Sequence, residues 1–424
     1  MDKVQVIAAF DWLNKEEVIG SLGHDRIRGT DVYSFEYDEN WLKENRGLVL
    51  SEDLKPFTGV QYNIVPVKLF GCFSDALPDR WGRKLIDLKA HLEQKKNVSP
   101  LTDWDYLKGV DDELRMGAFR FKDEQTGEYI GISDKEKVPP LLYLDDMVKA
   151  AHEIESKDYK QLEPEKKWIQ RLFQPGTSMG GARPKACVKD NGKIYLAKFP
   201  SIKDEYDVSK WEYFASEMGR ECGLNMANSR LIPTEDGKHI FLSERFDRNN
   251  EGKRIQVGSS LSLLGFKDGD GERTNKGYLD IVDFIVSNEE DHLEQDLKEL
   301  YRRVAFSICI GNSDDHFRNH SFLLTKKGWH LSPAYDINPS HSYSQSLMIN
   351  EESNDSDLNQ LYESHESYMI DEKSAFNIIR DVTHSMKYWE STARKVGMSK
   401  SEMDLFRERF DSGIEWKYGS GLHR

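Results

Sequence analysis

Residues 311–319 read Gly311-Asn312-Ser313-Asp314-Asp315-His316-Phe317-Arg318-Asn319, and one hairpin later the chain reads Tyr335-Asp336. Three elements precede them in a fixed order. A Gly-rich turn lies between Gly176 and Lys185. A lysine follows inside the strand-like run Tyr195-Leu196-Ala197-Lys198-Phe199. Glu212 then sits on the next helical stretch. Phosphoryl transfer from a nucleotide requires that order. A turn rich in backbone N–H groups cradles phosphates. A lysine pairs phosphate oxygens and is held by a helix glutamate. One aspartate faces the acceptor hydroxyl, an asparagine five residues on helps hold a metal, and a second aspartate completes the metal site. Oxygen ligands of this kind suit Mg²⁺. Each part alone has a plainer reading: a turn, an edge-strand lysine, an exposed helix glutamate, a polar loop. The ordered set carries the argument, because several independent accidents would have to fall in sequence.

Outward from this core, Ala186–Val188 and Ile194–Lys198 read as strands. Val208–Cys222 reads as an amphipathic helix stopped at Gly223. Ser229–Pro233 and His239–Arg245 form a hairpin around Asp236-Gly237. From residue 277 the pattern is helical through Ile310. Ser321–Thr325 and His330–Ser332 make another hairpin, and the last 80 residues return to helices. At the other end, Val4–Phe10, Val18–Leu22 and Val32–Tyr37 read as an antiparallel meander. Trp81, Leu85, Leu88 and Leu92 fall at helical spacing behind Asp79, a core stripe and not a cofactor site. Arg115–Phe121 reads as a strand and Leu144–Ile154 as a helix. The charged stretch before the Gly-rich loop marks a boundary, which gives segments 1–155, 156–250 and 251–424.

Composition sets the frame. The chain has 424 residues, with 59 Lys plus Arg against 74 Asp plus Glu, a net charge of −15. That balance argues against binding nucleic acid by global charge. Hydrophobic residues at 38% and aromatics at 11% exclude a disordered chain. Cys72, Cys187, Cys222 and Cys309 lie far apart, with no zinc or redox spacing. No apolar run reaches membrane-spanning length and the N-terminus lacks signal-peptide character, so a soluble, cytoplasmic chain is expected. Asp268–Glu272 looks like a calcium loop, but its sixth and twelfth positions are Arg273 and Leu279. His316 and His320 lie four apart, yet Phe317 stands where a zinc peptidase needs Glu.

The segment Gly311–Leu324, GNSDDHFRNHSFLL, resembles the catalytic signature of the HipA-type serine/threonine kinases. So do Glu244–Arg248, the loop Ser178–Lys185 (SMGGARPK) and Pro333–Asp336. Phe73–Arg83 and Arg115–Phe121 look like landmarks of the same family. This is a class of bacterial toxins neutralised by a small helix-turn-helix antitoxin. The resemblance implies an α+β fold with two kinase-like lobes, a β-rich N-terminal subdomain packed on the first lobe, and ATP and Mg²⁺ as cofactors. It makes Asp314 the catalytic base, Asn319 and Asp336 the metal ligands, and Lys198 the phosphate-pairing lysine held by Glu212. Gly180, Gly181, Ala182, Arg183, Pro184 and Lys185 become the loop over the nucleotide. Glu244, Arg245 and Phe246 become the hinge that meets adenine through its backbone. His316, Phe317, Arg318 and Tyr335 line the same pocket. Ser178 matches the serine that family members phosphorylate on themselves, which ejects the loop and shuts off ATP binding; Thr177 stands beside it as the alternative hydroxyl.

The loop departs from the family at Arg183-Pro184, since proline has no N–H to give a phosphate. As partners the resemblance implies a HipB-like antitoxin, operator DNA reached through it, and a protein substrate. Known family targets are aminoacyl-tRNA synthetases, notably the glutamyl enzyme. Two other readings fit parts of the sequence: a small-molecule kinase of the aminoglycoside or choline type, and a catalytically silent scaffold acting as corepressor.

Overall fold

The computed structural model describes residues 2–45, 47–63, 68–94, 100–131, 138–157, 172, 176, 181–288 and 291–416. The architecture is α+β. Three antiparallel sheets and a set of helices build it.

The first sheet joins β1 (Asp2–Ala8), β2 (Glu17–Ile27), β3 (Thr30–Tyr37), β4 (Val60–Asn63) and β5 (Phe119–Asp123) in the order β4-β3-β2-β1-β5. Arg28 and Gly29 connect β2 to β3 with φ of 52° and 86°, the double left-handed turn that matches strand twist. The second sheet joins β6 (Lys185–Asp190), β7 (Lys193–Lys198), β8 (Ser229–Pro233) and β9 (His239–Glu244) in the order β6-β7-β9-β8. Asn191-Gly192 turns β6 into β7 in the same way, with φ of 48° and 83°. β10 (Val257–Ser259), β11 (Ser321–Thr325) and β12 (Gly328–Leu331) form the third. β10 has only three residues, too short to leave a periodic signal.

The meander, both hairpins and the helices Arg80–Gln94, Leu144–Ser156 and Val208–Glu221 lie where the sequence places them. One run differs. The strand expected from Arg115 begins only at Phe119. Arg115 is wholly buried, and its guanidinium donates to the carbonyls of Ala76, Leu107 and Val110 at 3.0–3.2 Å. Gly117, at φ 80°, then breaks the extension.

The N-terminal segment packs against both of the other parts. The core of the five-stranded sheet is continuous with that of the helical C-terminal part, running from Val6 and Phe35 through Phe73 to Leu263, Phe306 and Phe322. The helices Arg80–Gln94 and Leu144–Ser156 of the N-terminal segment cover the four-stranded sheet, in line with the expectation that this segment packs on the first lobe. Trp81, Leu85 and Leu88 meet Val188, Tyr195 and Ala197 there. A helical stripe states that a face is buried, but not which sheet it meets.

A buried charge cluster joins these parts. Asp247 is fully buried and accepts from Arg245 (2.9 and 2.6 Å), Arg248 (2.6 Å) and the Gly117 amide (2.8 Å). Arg245 also donates to the carbonyls of Leu114 (2.6 Å) and Arg115 (3.0 Å). Burial alone pushes the Asp247 carboxyl up, but the two guanidiniums outweigh it and hold it well below the carboxylate range. Asp247→Ala strands two buried cations, so unfolding should become easier by about 3–5 kcal/mol. The folded pKa is depressed, so this contribution is complete above about pH 4 and is lost as pH falls towards the folded value. Denaturant midpoints across pH should show the gap between variant and wild type narrowing in acid. A gap under about 1 kcal/mol at pH 7 would show that the cluster does not clamp the fold.

Candidate active site

The centre of the site is Lys198, the last residue of β7. Its side chain turns inward, where Nζ donates to Glu212 Oε1 at 2.5 Å and to Asp336 Oδ1 at 2.5 Å. Glu212 is on the buried face of the helix Val208–Glu221, next to Trp211 and Ala215. Asp207 caps that helix by accepting from the Lys210 amide. Burial lowers the tendency of Lys198 to stay charged, yet Asp336 and Glu212 together raise its pKa. The same burial raises Glu212. Asp336 is pushed up by burial and pulled down further by Lys198, ending at about 2. It remains a carboxylate at neutral pH.

The helix Leu293–Ile310 delivers the loop that carries Asp314 and Asp315. It ends at Gly311, at φ 75°, where a Cβ would meet Arg409 Nε and Ser340 O at 2.8 Å each. The two aspartates then part company. Asp315 is buried and engaged by Tyr278 Oη (2.8 Å), Ser307 Oγ (3.0 Å) and His320 Nε2 (2.9 Å). His320 is thereby accounted for as an internal partner. Asp314 opens onto a cleft of about 1160 Å³. Its carboxyl is pushed up by the crowded floor of the cleft and by Asp336 and Asp315, with His316 opposing. Asn319 Nδ2 donates to the Asp314 carbonyl at 3.1 Å, which ties the two ends of the loop. Asp336 itself adopts φ 56°, a left-handed turn that Asp tolerates better than most residues.

The remaining residues divide. Gly181 (φ 96°) lies over Lys185, whose Nζ would be 2.7 Å from an added Cβ. Lys185 is buried and paired with Asp79 at 3.0 Å, and its charge lowers the Asp336 pKa. Ala182 lines the cleft. Arg183 is gripped by Asp204 through two 2.7 Å bonds, and the Pro184 carbonyl accepts from the Phe199 amide. At the hinge, the Glu244 amide is given to Asn228 O and the Arg245 amide to Ile194 O. The Glu244 side chain pairs with Lys193, and the Arg245 side chain faces Asp247, away from the cleft. The Phe246 ring lies 5.5 Å from Tyr335. His316, Phe317 and Arg318 line the cleft, Phe317 against Phe266 and Arg318 held by Asp268. Thr177, Ser178 and Gly180 lie outside the described residues.

Sequence reading missed three groups here. Asp79 reads as a helix opener, and indeed accepts from the Gly82 amide, but it is also the counter-ion of Lys185. Asn338, two residues past Asp336, donates to its Oδ1 at 3.2 Å. Asp204 takes Arg183. Only Asn338 had a local signal, its nearness to Asp336.

Whether the donor set fits Mg²⁺ can be asked of the free oxygens. Asn319 Oδ1 is buried with no hydrogen-bond partner among the described residues, as is Asn338 Oδ1. Among the described residues no cluster of three His, Cys, Asp or Glu could hold a metal. One amide oxygen from Asn319 and one carboxylate from Asp336 are a donor set that suits a cation keeping waters and phosphate oxygens as its other ligands, the usual habit of Mg²⁺.

The family model described as HipA-like C-terminal domain matches residues 177–389, and that described as HipA N-terminal domain matches residues 12–122. The chain belongs to the HipA family. A putative kinase of Haemophilus influenzae is 26% identical over 208 residues, 42% of this chain and 60% of that one. The serine/threonine-protein kinase toxin HipA of Shewanella oneidensis is 24% identical over 204 residues, 42% of this chain and 47% of that one. The chain thus spans about half the length of the curated relatives it matches. The solved Shewanella oneidensis complex of HipA, HipB and operator DNA aligns over 97% of this chain and 96% of its own with a TM-score of 0.64, at 15% identity. That likeness shows the fold of a HipA chain. No helix among the described residues is long and apolar enough to cross a membrane.

Proposed function

We propose that this HipA-family chain is an ATP- and Mg²⁺-dependent serine/threonine protein kinase, and the toxin of a HipBA-like pair. The observation that carries the reading is Lys198 held at 2.5 Å by both Glu212 and Asp336, with Asp314 open on the neighbouring loop. In this reading Asp314 accepts the proton of the acceptor hydroxyl and orients its oxygen. Lys198 pairs phosphate oxygens, and Lys185 adds a second positive charge beneath Gly181. Asn319 and Asp336 would hold Mg²⁺, which when bound neutralises the charge of the phosphates. Catalysis is then mainly positioning and charge stabilisation, as phosphoryl transfer allows. Arg183 and Arg245 serve by holding the loop and the hinge, since their guanidiniums are taken by Asp204 and Asp247.

An antitoxin of the HipB kind, and operator DNA reached through it, are the proposed partners; the fold likeness to the HipA of that complex supports this. The target is a protein hydroxyl, with an aminoacyl-tRNA synthetase as the family's precedent. Self-phosphorylation at Ser178 or Thr177 is the proposed control. Intact-mass spectrometry before and after incubation with Mg-ATP tests the reading. One added phosphate, mapped to Ser178 or Thr177 and absent in Asp314→Ala, is expected. No added phosphate in initially unmodified protein that still binds ATP would turn the reading towards a small-molecule acceptor or a silent scaffold.

A further inference from the structure

Lys185 and Lys198 stand directly opposite each other on β6 and β7. Opposite residues of an antiparallel pair share one face of the sheet, and both of these lysines are buried. Like charges so placed repel each other, so the pair persists only where each cation has an acid of its own. Lys198 has two, Glu212 from the helix Val208–Glu221 and Asp336 from the chain after β12. An acid of Lys185 comes from the N-terminal segment. Asp79 lies just before the helix Arg80–Gln94, and its Oδ2 accepts from Lys185 Nζ at 3.0 Å, with the two side chains only 5% and 6% exposed.

Further bonds fix that acid and that lysine. Asp79 Oδ1 accepts from the Gly82 amide at 2.8 Å, so the carboxylate is held as a helix cap as well as a counter-ion. Trp81 Nε1 donates to the Lys185 carbonyl at 3.0 Å. Four residues before Asp79, the buried Asp75 accepts from the Ser259 amide at 2.7 Å and from the hydroxyls of Ser259 and Ser262 at 2.9 Å each. Ser260 in turn donates its hydroxyl to the Phe317 carbonyl at 2.7 Å, three residues past Asp314. Residues 75–81 thus reach the lysine strand with one acid and the support of the Asp314 loop with the other. Asp79, Gly181, Ala182 and Asp314 line one cleft, so the Asp79 carboxylate belongs to the site itself.

We propose that Asp79 is a positioning residue of the phosphate site, holding the Lys185 ammonium beside Lys198 and aiming it at the phosphates of the nucleotide. The inference rests on the kinase reading above. Removing a carboxylate from beside phosphates relieves repulsion, so affinity for ATP is not what Asp79 supplies. What it supplies is the direction of a point charge carried on a flexible four-carbon stem. The N-terminal segment then contributes a group to the nucleotide site and is more than a cover for the four-stranded sheet.

Asp79→Asn tests it, because asparagine keeps the helix cap and loses the charge. The rate of self-phosphorylation is followed by intact mass over a range of Mg-ATP concentrations. The maximal rate should fall about tenfold or more, with the half-saturating Mg-ATP unchanged or lower. In Lys185→Met, which keeps Lys198, the same substitution should cost less than about twofold, since no ammonium is left to aim. That double variant buries neither charge, so the comparison stands even if Asp79→Asn alone fails to fold. An unchanged maximal rate in Asp79→Asn, a rise in half-saturating Mg-ATP that accompanies the loss, or the full loss again in the Lys185→Met background would overturn the inference. Asp79 would then be a helix cap, and the kinase reading would stand. No phosphate transfer by the folded wild type would instead remove the kinase reading, and this one with it.

Discussion

Asp336→Asn should reduce phosphoryl transfer by about 10³-fold or more and remove stabilisation by Mg-ATP, while the chain still folds. The amide keeps the size of the carboxylate but loses its charge. Lys198 would still be held by Glu212 at 2.5 Å, so no buried cation is left alone. What goes is the anionic oxygen that, with the unpartnered Asn319 Oδ1, would hold the metal in the proposed reading. The measurement is paired: transfer followed by intact mass, and thermal melting with and without Mg-ATP. Wild type at about a hundred times its dissociation constant should gain about 2.7 kcal/mol from the nucleotide. The variant should gain almost nothing. A variant that transfers phosphate like wild type would remove Asp336 from the metal site.

Asp314→Asn should separate the two readouts. Transfer falls by about 10²–10⁴-fold, the range for losing a positioned general base. Stabilisation by Mg-ATP survives, because Lys198, Glu212 and Asp336 are untouched. The fold survives as well, since Asp314 opens into the cleft while Asp315 carries the buried bonds to Tyr278, Ser307 and His320. The contrast with Asp315→Asn is informative. That change strikes the bonds supporting the loop, so it should lower the melting temperature as well as the rate. If Asp314→Asn and Asp315→Asn behaved alike in both assays, the assignment of the base to the first aspartate would fail.

Much of this site could be read before any coordinates. Lys198 and Glu212 are 14 residues apart, and their order suggested that the helix glutamate holds the lysine, as it does; that Asp336, 124 residues further on, also takes Lys198 was not legible. The hairpin around Asp236-Gly237 was legible because Gly237, at φ 84°, supplies the left-handed backbone a tight turn needs. The helix end at Gly223 was marked for the same reason. What stayed hidden was long-range and polar. The pairing of Lys185 with Asp79 spans 106 positions and leaves no periodic trace. Arg245 sits in a hinge motif, but nothing local says that its guanidinium turns back to Asp247. The partner of the five-stranded sheet was hidden too, because an apolar face reports burial and not the identity of its cover.

The Arg245–Asp247 cluster has a mechanical consequence. Residues 244–246 connect the four-stranded sheet to the helical part, the place where a two-lobed enzyme would ordinarily flex. Here that connection is splinted from the side. Arg245 and Arg248 reach the carbonyls of Leu114, Arg115 and Glu113, on a segment whose following strand is built into the first sheet. A swing of one lobe would have to tear several buried charged bonds at once. If the chain binds ATP as proposed, nucleotide would enter and leave by local rearrangement around Gly181 and Lys185, within a frame held like a vice whose jaws are fixed.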